Sequence, residues 1–232
     1  LNITVTTGGI DILINDAIAK ELNNFELIAS FANTYNIARI SDKFGTPLIE
    51  LRKPYMDFNS NFIDFPPSAF SQPSVLGENF IREKICTYIE KYSPTKVENL
   101  ADLFCGLGTF SFALSQYGKV YAADDNKNTT ANFARFVQDN HLNLTVQNRN
   151  LFTNPLTPEE LKKFDILVLD PPRAGALEQI KNIANTSKHF LIIYVSCNEA
   201  TFGRDGKILQ DAGYKLLNLS PLDQFPFTGI PE

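Results

Sequence analysis

The chain has no tryptophan, a single methionine, two histidines and three cysteines among its 232 residues. Cys86, Cys105 and Cys197 are too few and too scattered for a disulfide framework or a zinc site, so a metal-free chain in a reducing, cytoplasmic setting is expected. His141 and His189 have no triad or ligand pattern around them and read as surface or boundary residues. No run of about 18 apolar residues occurs, which argues against a membrane span. No secretory signal pattern opens the chain, and its first residue is Leu rather than Met, so a cut or processed N-terminus is expected. Positive charge is also scarce: 21 Lys and Arg face 26 Asp and Glu, a formal net charge of -5. Taken alone this argues against nucleic-acid binding, though it leaves room for a local basic patch or for a basic domain beyond the N-terminus.

What is present is an ordinary globular composition, 44% hydrophobic and 20% charged, without internal repeats. Residues 1–67 read as a small α+β unit. Alternation in Ile3-Thr4-Val5 and Ile10-Asp11-Ile12-Leu13-Ile14 predicts a hairpin turning at Gly8-Gly9. Helical spacing follows from Ala17 to Phe31, further strands from Leu48 to Arg52 and from Phe62 to Phe65, and a break at Pro66-Pro67. Residues 68–232 have a different rhythm. An amphipathic helix carrying Phe80, Ile81, Ile85, Tyr88 and Ile89 stops near Ser93-Pro94. Five apolar runs follow, separated by helical stretches: Val97–Phe104, Val120–Ala123, Leu144–Gln147, Phe164–Leu169 and Phe190–Val195. A sixth strand is expected over Tyr214–Leu219. The alternation predicts a doubly wound, mostly parallel α/β sheet, Rossmann-like, with ligands beyond the carboxyl ends of its strands.

Polar signals sit just after these runs. The first ends in Asp102-Leu103-Phe104-Cys105-Gly106-Leu107-Gly108-Thr109-Phe110, where glycines permit a tight turn and close backbone approach to a ligand. The second ends in Asp124-Asp125, about 20 residues beyond the turn, where a carboxylate can accept ribose hydroxyls. Phe110 and Ser111 interrupt a full G-x-G-x-x-G, which favours an adenosyl cofactor without a pyrophosphate over a dinucleotide; such a turn also serves as a plain connection. The fourth run ends in Asp170-Pro171-Pro172-Arg173-Ala174-Gly175, and two prolines force it out of the sheet as a stiff loop. The fifth ends in Ser196-Cys197-Asn198 ahead of a helix whose cap is expected at Asn198 or Glu199. A thiol there has a lowered pKa and gains nucleophilicity, whereas Cys86 and Cys105 read as packing residues.

Together with Asp223-Gln224-Phe225-Pro226-Phe227-Thr228-Gly229-Ile230-Pro231-Glu232, this ordered set resembles the S-adenosylmethionine-dependent RNA 5-methyluridine methyltransferases over roughly Phe70 to Glu232. The resemblance implies a class I methyltransferase fold, S-adenosyl-L-methionine as cofactor and transfer or ribosomal RNA as partner. It implies that Cys197 attacks carbon 6 of a flipped uracil and that Glu232, last in D-x-F-P-x-T-x-x-x-E, removes the carbon 5 proton. By the same resemblance Gln72, Phe104, Gly106, Gly108, Thr109, Asp124, Asn150 and Asp170 contact the cofactor. Thr109 and Ser74 stand where members often have Asn, Glu199 replaces the usual proline, and Gly203 sits where alanine is common. The iron–sulfur cysteines and N-terminal RNA-binding domain of many relatives are absent from this sequence, and the family continues one strand past the base. A fragment trimmed at both ends and of weak activity in isolation is therefore expected.

The same residues bear on other methyl-transfer chemistries. Methylation of an exocyclic amine uses Asn/Asp-Pro-Pro-aromatic and no cysteine, so Arg173 and Cys197 count against it. Cytosine carbon 5 methylation uses a Pro-Cys loop on the fourth strand, which is missing here. A non-catalytic RNA-binding protein with this fold and a nicotinamide-dependent oxidoreductase complete the set.

Overall fold

The computed structural model describes residues 1–17, 22–93 and 96–224. Strands β1 (Asn2–Thr6) and β2 (Gly9–Leu13) form the expected antiparallel hairpin. Thr6 pairs with Gly9, so the turn is Thr7-Gly8, one residue earlier than the sequence suggests. Gly9 takes φ 123° inside β2, and a Cβ on Gly8 would lie 2.7 Å from the Tyr55 ring, so both glycines are needed, for different reasons. Helix α1 (Leu22–Thr34) crosses over to β3 (Ile37–Ser41), parallel to β2, and β4 (Pro47–Glu50) closes the sheet in the order β1-β2-β3-β4. Residues 18–21 of the expected helix lie outside the described residues, and the helix runs three residues past Phe31. The expected strand at Leu48–Arg52 stops at Glu50 because Arg52 turns away, donating to Gly8 O at 2.8 Å and Asn36 Oδ1 at 2.7 Å.

A short hairpin, β5 (Tyr55–Asp57) and β6 (Phe62–Asp64), joins this unit to the rest; β5 had no legible signal. Phe58, Ile63 and Phe65 from this segment are buried in the same cluster as Ile81, Ile85 and Phe112. Arg39 anchors the small sheet to it: its guanidinium forks onto Asp11 with two 2.8 Å bonds and donates a third to Phe65 O. Fork geometry of this kind satisfies both buried charges at once.

The larger sheet follows. Helix α2 (Val75–Tyr92) leads into β7 (Asn99–Leu103), α3 (Ser111–Leu114), β8 (Lys119–Asp124), α4 (Lys127–Asp139) and β9 (Leu144–Asn148). Then come α5 (Pro158–Leu161), β10 (Ile166–Leu169), α6 (Leu177–Ala184), β11 (Leu191–Tyr194) and α7 (Glu199–Asp211). All five strands are parallel, in the order β11-β10-β7-β8-β9. Their apolar runs are continuous because both faces are covered. Within β10, Ile166 and Val168 join the cluster under α2 and α4, whereas Leu167 and Leu169 join the one under α6. The winding direction reverses between β7 and β10, which opens a crevice beyond their carboxyl ends.

One expectation fails. Tyr214–Leu219 is not a strand: it pairs with none of the described strands, and Leu216, Leu217 and Leu219 are well exposed. Strand propensity without a partner ladder leaves an extended segment. This one runs back along α2, where the Tyr88 hydroxyl donates to Asn218 Oδ1 and shares a 2.6 Å bond with Ser220 Oγ. Among the described residues no helix is long and apolar enough to cross a membrane, and no cluster of His, Cys, Asp and Glu could hold a metal ion.

Candidate functional site

The site is assembled from strand ends. After β7, Phe104 and Cys105 both donate backbone N–H to Ala123 O, at 2.8 and 3.1 Å, pinning the turn to β8. Phe104 is held at φ 66°, a left-handed conformation that costs a residue with a bulky side chain about 1–3 kcal/mol and is characteristic of functional sites. Gly106 (φ 53°) aims its N–H at Asp124 Oδ2, 3.1 Å away. Gly108 (φ 88°) presses on Phe133, whose ring would lie 2.3 Å from any Cβ. Thr109 is half-buried in the same turn.

Asp124 ends β8 half-buried, with Oδ2 on Gly106 N and Oδ1 on Asn126 N at 2.9 Å. These bonds orient the carboxylate while leaving lone pairs for a further donor. Burial pushes its pKa up, against the backbone bonds it accepts from Asn126, Gly106 and Asp125. Asn150, two residues after β9, is exposed and braces its own loop: its Oδ1 accepts from Phe152 N and Thr153 N, both at 3.0 Å, and its Nδ2 donates to Asp125 Oδ2 at 3.3 Å. The effect is to lay the Phe152 ring 5.4 Å from that of Phe104, across the end of β8. Arg149 shapes the same loop, donating to Asn154 O and Pro155 O at 2.7 and 2.8 Å and pairing with Glu160, whose carboxyl it holds down at about 2.

Beyond the crevice, Asp170 follows β10 and donates its N–H to Leu103 O at 3.2 Å. Its carboxylate accepts from Gln72 Nε2 at 3.1 Å, and Gln72 Oε1 in turn accepts from Gln224 Nε2 at 3.2 Å. Gln224 rests over Gly77, where a Cβ would lie 2.1 Å from its Oε1. Ser74, where relatives often have Asn, caps α2 through Gly77 N at 3.0 Å, as either residue can.

Cys197 is half-buried, one residue before the N-cap of α7. Asn198 is that cap, accepting from Ala200 N and Thr201 N, so the first of the two expected cap positions is the right one. Glu199 then occupies the first helical position, where an acid suits the positive end of the helix as well as a proline suits its backbone. Asn198 Nδ2 also donates to Arg173 O at 3.1 Å, so the cysteine turn and the Asp170 loop touch. The expected sites therefore fall into three groups. Phe104, Gly106, Gly108, Thr109, Asp124 and Asn150 lie around β7–β9, Gln72 and Asp170 at the crevice, and Cys197 next to them after β11. Glu232, with Phe225 and Phe227, lies outside the described residues.

Sequence reasoning missed Phe152, Arg149, Gln224, Asp205 and Asp102. The last had a signal, a lone acid inside the apolar run of β7. Asp102 is fully buried and accepts a bond from Ser111 Oγ, while its Oδ1 has no hydrogen-bond partner among the described residues. Burial, reinforced by the neighbouring Asp124 and opposed by the Ser111 bond, lifts its pKa from 3.8 to about 7. A raised folded-state pKa makes stability greatest below the ordinary carboxylate value and progressively lost as pH rises to about 7. Asp102→Asn cannot ionise and is expected to escape that loss. In urea titrations its midpoint should gain on the wild type between pH 4 and 7 and hold a constant lead above (~pH 4 being the ordinary carboxylate value). A gap independent of pH would mean that Asp102 is buried as the anion.

Comparison with known proteins follows the same lines. A sequence model of the tRNA (Uracil-5-)-methyltransferase family matches residues 57–232. Over 235 residues the chain is 35% identical to an uncharacterized RNA methyltransferase of Mesorhizobium japonicum, covering 99% of this chain and 55% of that protein. It is 34% identical over 171 residues to the 23S rRNA (uracil(1939)-C(5))-methyltransferase RlmD of Francisella tularensis, covering 72% of this chain and 37% of that one. The crystal structure of Pyrococcus abyssi tRNA (uracil-54, C5)-methyltransferase in complex with S-adenosyl-L-homocysteine matches at TM-score 0.66 and 21% identity, over 93% of this chain and 52% of that chain. At that identity the likeness is one of fold. The chain spans about half the length of the curated relatives it matches.

Proposed function

Since this chain belongs to the tRNA (uracil-5-)-methyltransferase family, we propose that it is the catalytic part of an enzyme that methylates carbon 5 of a uridine in transfer or ribosomal RNA through a cysteine adduct. S-adenosyl-L-methionine, when bound, supplies an electrophilic methyl group. The residues present suit it: the Asp124 carboxylate, oriented by Gly106 and Asn126, can accept ribose hydroxyls, and the glycine turn permits close approach. Phe104 and Phe152 supply apolar surface for adenine, Asn150 shapes that wall, and Thr109, Gln72 and Asp170 line the way to the crevice.

Cys197 carries the chemistry in this reading. Its thiolate adds to carbon 6 of uracil, the ring electrons move to carbon 5, and that carbon becomes nucleophilic enough to take a methyl group. A base then removes the carbon 5 proton, and the thiolate leaves with its electron pair as the ring double bond reforms. The base role of Glu232 rests on the resemblance of its motif. The observation that carries the proposal is structural: neighbouring parallel strands β10 and β11 deliver Asp170 and Cys197 to one sheet end, with Asn198 bonded to Arg173 across the gap. For domain organisation we propose a small α+β unit ahead of a methyltransferase unit. The boundary is placed at residues 67–68, and the β5–β6 hairpin at the end of the first unit packs Phe58 and Ile63 into the cluster that holds Phe112 and Ile81 of the second.

The test is intact mass after mixing the protein with S-adenosylmethionine and RNA transcribed with 5-fluorouridine. Fluorine cannot leave as a proton does, so a methylated RNA–protein adduct mapping to Cys197 should accumulate. No adduct across transfer and ribosomal RNA pools would overturn the covalent reading in favour of a non-catalytic RNA-binding one.

A further inference from the structure

We propose that Asp205, with Thr201 and Arg204, is a positioning device that holds Cys197 in register with the Asp170 loop; this inference rests on Cys197 being the nucleophile. Its first support is a pattern on α7. Asn198, Thr201 and Arg204-Asp205 recur at intervals of three, so they share one helix face. That face meets the backbone of residues 173–176. Asn198 Nδ2 donates to Arg173 O at 3.1 Å, Thr201 Oγ1 shares its one hydrogen between Arg173 O at 3.3 Å and Asn198 O in its own helix at 3.1 Å, Arg204 Nη2 donates to Ala174 O at 3.1 Å, and Ala176 N donates to Asp205 Oδ2 at 2.8 Å. The four contacts that reach the loop all engage its main-chain groups, so the helix grips the course of the loop rather than its side chains.

The loop can come this close because residue 175 is glycine. It sits at φ 74°, and a Cβ there would lie 2.7 Å from Arg204 Nη2 and 2.8 Å from Asp205 Oδ2. Asp205 is completely buried and serves three elements at once. Besides Ala176 N it accepts the Tyr194 hydroxyl from the end of β11 at 2.7 Å and Arg204 Nε at 2.8 Å. Burial first, and then the Asp205 carboxylate, push the Tyr194 phenol well above its usual pKa, so it stays a donor throughout the working range.

A buried carboxylate is a costly way to gain stability alone, since a well-packed apolar group of similar volume often does as well. Its location gives it another use. Cys197 lies three residues past Tyr194, beyond the last ladder bond of β11, so the sheet does not hold it. Tyr194 precedes it in the chain and α7 follows it, and both are tied to Asp205. Reaction geometry tolerates little error, and a displacement of about 1 Å can cost 100-fold.

The test follows the time course of the 5-fluorouridine adduct and separates its rate constant from its final amplitude. Thr201→Val keeps shape and loses the hydroxyl; Thr201→Ser keeps the hydroxyl; Asp205→Asn keeps one acceptor and turns an NH2 towards Arg204. Rate constants are expected to fall about 10-fold for Thr201→Val and about 100-fold for Asp205→Asn, with Thr201→Ser restoring most of the loss. A residue needed only for folding would lower the amplitude, the fraction of competent protein, and leave the rate constant of that fraction unchanged. That result for both Thr201→Val and Asp205→Asn would overturn the proposal, and should Asp205→Asn fail to fold, Thr201→Val decides it. A wild-type chain that forms no adduct would instead overturn the Cys197 reading, and this inference with it.

Discussion

Replacing Cys197 by alanine is expected to lower methyl transfer by about 10^4-fold or more while leaving cofactor binding nearly unchanged. The size of the effect follows from the chemistry. Carbon 5 of uracil is not nucleophilic until a thiolate has added at carbon 6, so without the thiol there is no partial mechanism to fall back on. Neither remaining cysteine can take over. Cys105 is buried in the glycine turn, and burial together with the Asp102 and Asp124 charges holds its thiol far above the usual range. Cys86 sits on α2, where its sulfur accepts a long bond from Gln116 at 3.5 Å. The measurement is release of tritium from RNA labelled at uridine carbon 5, run beside calorimetric titration with S-adenosylmethionine. Loss of turnover with intact cofactor binding would place Cys197 in the chemistry. Retained turnover would remove it from the mechanism, and loss of both would make it a structural residue.

The second large effect is expected at Gly108. A methyl group there must displace the Phe133 ring from 2.3 Å, and Phe133 is completely buried against Phe112, 5.3 Å between centroids. The left-handed backbone, φ 88°, adds its own penalty. Gly108→Ala is expected to cost about 3 kcal/mol, the sum of overpacking and backbone strain, and to weaken cofactor binding by shifting the turn. Gly106 is the control. It too is left-handed, at φ 53°, but a Cβ there meets nothing within 4 Å. Gly106→Ala should therefore cost only the backbone share, about 1 kcal/mol. Urea unfolding of the two variants checks the difference, and Gly108→Ala combined with Phe133→Leu should recover part of the loss. Equal costs at the two positions would mean that contact with Phe133 is not what restricts Gly108.

Much of this protein was legible from local signals. Continuous apolar runs separated by helical stretches announced a parallel sheet covered on both faces, and all five runs are strands of that sheet. The polar residues at their ends marked the functional edge, because a backbone leaving a sheet needs glycine, proline or a cap, and those residues are visible one at a time. Asn198 as a helix cap and the small hairpin at the N-terminus belong to the same class, being properties of a few consecutive residues.

What escaped was decided by partners far along the chain. The Gln72–Asp170 bond spans 98 residues and the Gln224–Gln72 bond 152, and no periodicity reports contacts of that range. Tyr214–Leu219 has the composition of a strand yet lacks a ladder partner among the described residues, so propensity misled. Asn150 was read as a polar residue at the end of the third run, but no local pattern showed that its amide would bond Phe152, Thr153 and Asp125 and bring the Phe152 ring to Phe104. Asp205 carried no signal of its own in the sequence, and it is the fold that buries it beneath the loop of residues 173–176. The elements and the edge of the sheet where chemistry belongs follow from short stretches of chain, because backbone propensity and turn chemistry act over a few residues. Which side chains are desolvated and which loops are held together follows from the folded packing, because burial and hydrogen bonding depend on whatever the fold brings alongside.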